Sequence, residues 1–134
     1  MDNEKVSRIF SKDKFALASG ITLISIGDGE ASASVNVEEK HYNGVGIVQG
    51  GLIFTLADFA FAAASNSRGR TAVAVRCDIS YIKPVKGGTL TASAKEVSCG
   101  NKISNYRVKI NDVTGDLVAV FNGTAYRKDD NNGN

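Results

Sequence analysis

The sequence has no tryptophan, one histidine, one proline and two cysteines. Each scarcity removes a class of function. Cys77 and Cys99 cannot build a disulfide framework, and no CxxC pair occurs. With His41 as the sole histidine, the ligands of a Cys/His zinc site are missing, so no metal is expected. A net charge of +2 is too small to point to nucleic acid or a membrane surface. Without tryptophan or an aromatic–basic stripe, single-strand stacking has no platform. No run approaches the ~18 apolar residues of a membrane helix. The opening MDNEKVSRIFSKDKF is charged and lacks an apolar signal core. Two free thiols suit a reducing compartment, and the expectation is a cytoplasmic protein.

What is present reads as one domain spanning 1–134, with a real core. Residues 3–19 form a short polar helical arm, with Ser11 as the expected cap of a second piece holding Phe15, Ala16 and Leu17. From Ile21 the period changes to two. Thr22 to Ile26 is a β-branched run, and Asp28-Gly29 marks a hairpin turn of type I′. Ala31, Ala33, Val35 and Val37 then alternate with small polar residues.

Residues 41–51, HYNGVGIVQGG, are too rich in glycine for a regular element. Residues 51–66, GLIFTLADFAFAAASN, read as a helix apolar nearly all round, and so buried on most sides, with a stop at Asn66 to Gly69. A series of strands follows as a meander. Val73, Val75, Cys77, Ile79 and Tyr81 form the expected apolar face of the first, which Pro84 ends. Thr89 to Val97, a strand with Ser104, Tyr106, Val108 and Ile110 on one face, and Leu117 to Tyr126 complete the set. The tail, 128–134, is expected to be disordered. A helix that is apolar all round needs a sheet wrapped around it, so the fold class is α+β.

One segment carries chemistry. Asn43-Gly44-x-Gly46-x-x-Gln49-Gly50-Gly51 is followed by Leu56-Ala57-Asp58 and by Ala62, Ala63 and Ala64, and later by Ala72 to Pro84, AVAVRCDISYIKP. These features, spread over about 40–127, resemble the phenylacetate-degradation (PaaI-like) branch of the hotdog-fold acyl-CoA thioesterases. The resemblance implies a curved antiparallel sheet around one long central helix, in a homodimer or homotetramer (a dimer of dimers). It implies hydrolysis of an aryl-acyl or medium-chain acyl-CoA to free acid and coenzyme A, with no separate cofactor. Asp58 matches the helix carboxylate that acts as nucleophile or general base. Gly50 and Gly51 match the glycines whose amide polarises the thioester carbonyl, and Asn43 an asparagine that places acyl group or water. Gln49 departs from the family, which usually carries His there; Gln can donate a hydrogen bond but cannot become a cation. Substrate contacts are expected from Phe59, Phe61, Ala62, Ser65 and Ala74, and from Arg76 and Lys83 toward the coenzyme A phosphates.

The physics of the segment agrees. Thioester hydrolysis builds negative charge on the carbonyl oxygen, and a helix N-terminus offers unpaired N–H donors to it. Asp58 sits in the most apolar stretch of the chain, where a carboxylate is costly without partners and its pKa should rise. Gly51 and Asp58 are seven residues apart, about two turns and roughly 10 Å of rise. Both cannot reach one carbonyl within about 3 Å, so the pair is expected to work across a two-fold axis. The rival expectation is a non-catalytic acyl-CoA-binding protein, in which the Gln at 49 marks lost turnover. His41, in a loop, is expected to be a surface or hydrogen-bonding residue, and Cys77 a core one.

Overall fold

The computed structural model describes residues 3–129. Helices α1 (Asn3–Phe10) and α2 (Lys14–Ser19) precede strands β1 (Ile21–Gly27) and β2 (Glu30–Asn36). A 3-10 turn (Glu39–His41) and a glycine-rich loop lead into α3 (Gly50–Asn66). Strands β3 (Ala72–Tyr81), β4 (Thr89–Cys99), β5 (Ile103–Asn111) and β6 (Leu117–Arg127) follow. All pairings are antiparallel, in one six-stranded sheet ordered β1-β2-β4-β5-β6-β3. The sheet curves around α3, the hotdog arrangement that the resemblance implied.

The alternating patterns become the inner face. Ala33 and Val35 of β2, Leu90 and Ala92 of β4, Tyr106, Val108 and Ile110 of β5, and Phe121 of β6 are all buried against α3. Small residues on β2 and β4 let the helix lie close to the sheet. At Gly123 an added Cβ would stand 2.7 Å from the Phe61 ring, so that approach requires glycine. Among the described residues, no helix is long and apolar enough to cross a membrane. The tail, apart from Lys128 and Asp129, lies outside the described residues, and Lys128 N–H is bonded to Thr71 C=O at 2.8 Å.

Four local expectations are corrected. Asp13, not Ser11, caps α2: its Oδ1 accepts from Ala16 N–H at 3.0 Å, while Ser11 Oγ turns back to Arg8 C=O. A carboxylate two residues nearer the helix wins the orphan amide. The β1–β2 turn is not type I′, because only Gly29, at φ 74°, has positive φ and Asp28 does not. Gly29 is instead held by contacts from outside the hairpin, its N–H on Ser67 Oγ and its C=O on Glu96 N–H. The meander covers β4, β5 and β6 only; β3 crosses to the far edge and pairs with β6. Finally, a bulge between Ala74 and Arg76 shifts the alternation of β3, so Val73 and Val75 are exposed rather than inward.

Candidate active site

The loop before α3 is built to present the helix start. Asn43 organises it: Oδ1 accepts from Val45 N–H at 3.0 Å and Ile47 N–H at 3.2 Å, and its own N–H bonds to Ile47 C=O. Val48 N–H bonds to Val85 C=O and Gln49 N–H to His41 C=O, both at 2.8 Å. His41 is only 5% exposed. Its Nδ1 accepts from Glu38 N–H at 2.9 Å, so Nε2 carries the proton and donates to Ser19 C=O at 2.8 Å. The one histidine is therefore a buried clamp between this loop and α2: of the two roles expected of it, the hydrogen-bonding one rather than the surface one.

At the start of α3, Leu52 N–H turns back to Gln49 C=O at 3.0 Å. The amides of Gly50 and Gly51 donate to no oxygen among the described residues, and the Gln49 side chain makes no capping bond. Gly50 lines a cleft of about 280 Å³ with Asn43, Ile47, Ile53, Tyr81, Lys83 and their neighbours Val48, Ile82, Pro84 and Val85. Gly51 and Gln49 are exposed beside it. The wall is mostly aliphatic, with a few convergent polar groups, which is the usual make-up of a small-molecule site.

Asp58 does not line that cleft. It stands two turns further along α3, partly exposed, on a stripe with Gly51, Thr55 and Ala62, none of which is fully buried. Among the described residues, the one hydrogen bond to its carboxylate is weak, from Cys77 Sγ, 4.0 Å from Oδ1. Burial, and then the charge of Asp13, push the Asp58 carboxyl above the ordinary range. Burial, helped by Asp58 and Asp78, likewise pushes the Cys77 thiol up, which keeps it a thiol rather than a nucleophilic thiolate near neutral pH.

The other expected site residues scatter. Phe59 is buried and meets Phe10 of α1 edge-on at 5.7 Å. Phe61 is 1% exposed, between Tyr106 and Phe121, a core residue away from the cleft. Ser65 is buried and donates to Ala62 C=O. Ala74 is exposed just before the bulge. Arg76 lies on the face of β3 opposite Cys77, exposed and 3.4 Å from Asp78. Lys83 is at the cleft but pairs with Asp112 at 2.8 Å and Asp116 at 3.0 Å. Sequence reasoning missed Tyr81, whose hydroxyl donates to Gly50 C=O at 3.0 Å; its place in the alternation marked it only as an inward residue of β3.

Residues 45–119 match the family model of the thioesterase superfamily. The chain is 38% identical over 120 residues to acyl-coenzyme A thioesterase PaaI of Escherichia coli, covering 89% of this chain and 86% of that one. It is 34% identical over 103 residues to human acyl-coenzyme A thioesterase 13, covering 74% of each. The solved structure of E. coli PaaI, from the phenylacetic acid degradation operon, superposes with a TM-score of 0.89 over 94% of this chain and 92% of that one, at 35% identity. A Streptococcus mutans protein solved with acetyl-CoA superposes at 0.77, with 28% identity, over 81% and 88% of the two chains. The chain therefore belongs to the thioesterase superfamily, in the hotdog-fold acyl-CoA thioesterase branch that includes PaaI, and it is a thioester hydrolase.

Proposed function

We propose that this protein hydrolyses aryl-acyl or medium-chain acyl-CoA thioesters at a site shared between two copies of the chain. One observation carries the reading. α3 presents uncommitted glycine amides at its start and an almost unpartnered, partly exposed carboxylate two turns away. Within one helix these groups are too far apart to meet at one carbonyl. A second copy placed against this partly exposed face of α3 brings Asp58 of one chain to Gly50 and Asn43 of the other. Exposed Val73 and Val75 on the edge strand β3 give the second copy an apolar margin to cover. A dimer of dimers extends the same assembly.

In the proposed reaction the thioester oxygen lies on the Gly50 amide, beside Gly51, and Asn43 shapes the loop that forms the cleft. Asp58 takes a proton from water, whose oxygen adds to the carbonyl carbon; the C–S bond then breaks and the coenzyme A thiolate takes up a proton. A raised carboxyl pKa suits that base. The aliphatic wall formed by Ile47, Ile53, Ile82 and Val85 suits an acyl group or an aromatic ring. Coenzyme A enters as half of the substrate, and no step calls on a separate cofactor. Two free cysteines fit a cytoplasmic setting.

Steady-state release of free thiol from a panel of acyl-CoA esters, aryl-acetyl and medium-chain included, tests the reading in wild type and Asp58→Asn. Turnover in wild type and a loss of about 10²-fold or more in the variant supports it. Tight binding of these esters without turnover supports the rival, a non-catalytic acyl-CoA-binding protein, and makes Gln49 the residue to replace with His.

A further inference from the structure

We infer that Tyr81 is a positioning residue for the reaction: it clamps Gly50 so that the Gly50 amide stays in place at the cleft. The inference rests on the reading of that amide as the oxyanion donor.

The start of α3 is an unusual place to keep a precise donor. Two consecutive glycines are the least restrained pair available, each costing about 1 kcal/mol against alanine within a helix. A first turn also lacks the backbone bonds that hold later turns. The ordinary remedy is a side-chain cap, and Gln49 provides none. A side-chain cap would also bond the very amides that the substrate needs. The restraint must therefore come from outside the helix and must leave the N–H groups alone.

Tyr81, the last residue of β3, meets both requirements. Its hydroxyl donates to the Gly50 carbonyl at 3.0 Å, which fixes the peptide plane that carries the Gly51 N–H and, through the shared Cα, anchors the residue that carries the Gly50 N–H. Its ring lies against the Gly50 Cα, so that an added Cβ would meet ring atoms at 3.2 Å. The residue is thus held through its carbonyl and its Cα, while its N–H stays uncommitted. Tyr81 and Gly50 both line the cleft. A side chain that is 52% exposed contributes little as core, which leaves this contact as its main work.

The test is a kinetic split in the full-length protein. Tyr81→Phe keeps the ring and removes the hydroxyl; Tyr81→Leu removes both. For Tyr81→Phe, kcat is expected to fall about ten-fold with KM within about two-fold and an unchanged melting temperature, since a small misplacement of a donor costs the transition state rather than the ground state. Tyr81→Leu should fall further in kcat. An unchanged kcat in Tyr81→Phe overturns the inference. So does a rise in KM alone, which marks a substrate contact, or a loss of activity that tracks a fall in melting temperature, which marks a merely structural residue. Asp58→Asn is the control. Loss in Asp58→Asn with full activity in Tyr81→Phe overturns only the role of Tyr81. Full activity in Asp58→Asn, or no turnover by wild type, overturns the underlying reading and the inference with it.

Discussion

The two ends of α3 are built on opposite plans. At the C-terminal end nearly every polar group is used. Asn66 donates to Ala62 C=O and Ala72 C=O and accepts from Ala72 N–H. Ser67 Oγ donates to Ala64 C=O at 2.7 Å and accepts from Gly29 N–H at 2.8 Å. Arg68 makes a two-pronged pair with Glu96, which also accepts from Tyr106. At the N-terminal end the amides of Gly50 and Gly51 are left open, and a single tyrosine braces the backbone. One end ties α3 to the β1–β2 turn, β4 and β5; the other keeps donors available. Stability and chemistry are therefore separable by mutation.

The largest expected effect is at the open end. Gly50 is the first residue of the helix, where proline is tolerated, and Gln49, at φ −60° and ψ 130°, is already in the conformation that a following proline requires. Gly50→Pro thus deletes one N–H with little change of backbone. It should lower kcat by about 10²–10³-fold, the usual cost of a lost oxyanion donor. Gly50→Ala adds the same Cβ beside Tyr81 but keeps the N–H, and should lose much less. Equal rate losses in the two variants would place the effect in the added Cβ against Tyr81 and contradict a role for the Gly50 N–H.

The mirror experiment is Ser67→Ala. It strands the buried Gly29 N–H, while Ala64 C=O keeps its bond from Ser67 N–H, and should cost about 1–3 kcal/mol in denaturant unfolding, with kcat unchanged well below the melting temperature.

Asp58 lies between the two plans, and its pKa gives a sign. A carboxyl raised in the folded state binds its proton more tightly there than in the unfolded chain, so the ionised group costs stability above its folded pKa. Asp58→Asn should therefore match or exceed wild type in melting temperature near neutral pH, and the difference should close as pH falls toward the ordinary value of about 3.9. Activity should follow the opposite course, declining on the acid side as the base takes up its proton, at a pH above the normal carboxylate range.

The smallest effect belongs to Arg68→Ala. The Arg68–Glu96 pair is partly exposed, so its loss should cost about 1 kcal/mol or less. Arg68, the largest cause, holds Glu96 below its ordinary value, so that contribution should be present above about pH 4.3 and vanish as pH falls through the folded pKa.

Much of this contrast was legible in the sequence. The apolar run of α3, the glycines before it and the period of two in β2 and β5 each follow from residue type, because burial alone sorts them. What was not legible depends on partners distant in sequence. The bulge in β3 is set by pairing with β6, so Val73 and Val75 read as inward residues. Asp28-Gly29 reads as a self-contained turn, yet Ser67 and Glu96 set its geometry. Phe61 reads as a pocket wall, and only the gap at Gly123 shows that it fills the core. Tyr81 is named by its contact with Gly50, across a separation that no local pattern encodes.

The most direct measurement mixes two inactive variants. Asp58→Asn and Gly50→Pro are refolded together, and thiol release is assayed from the mixture. In a site shared between chains, each mixed dimer has one doubly damaged site and one intact site, so activity should return to about a quarter of wild type. If each site is complete within one chain, every site in the mixture carries one lesion, and the mixture stays as inactive as its parents.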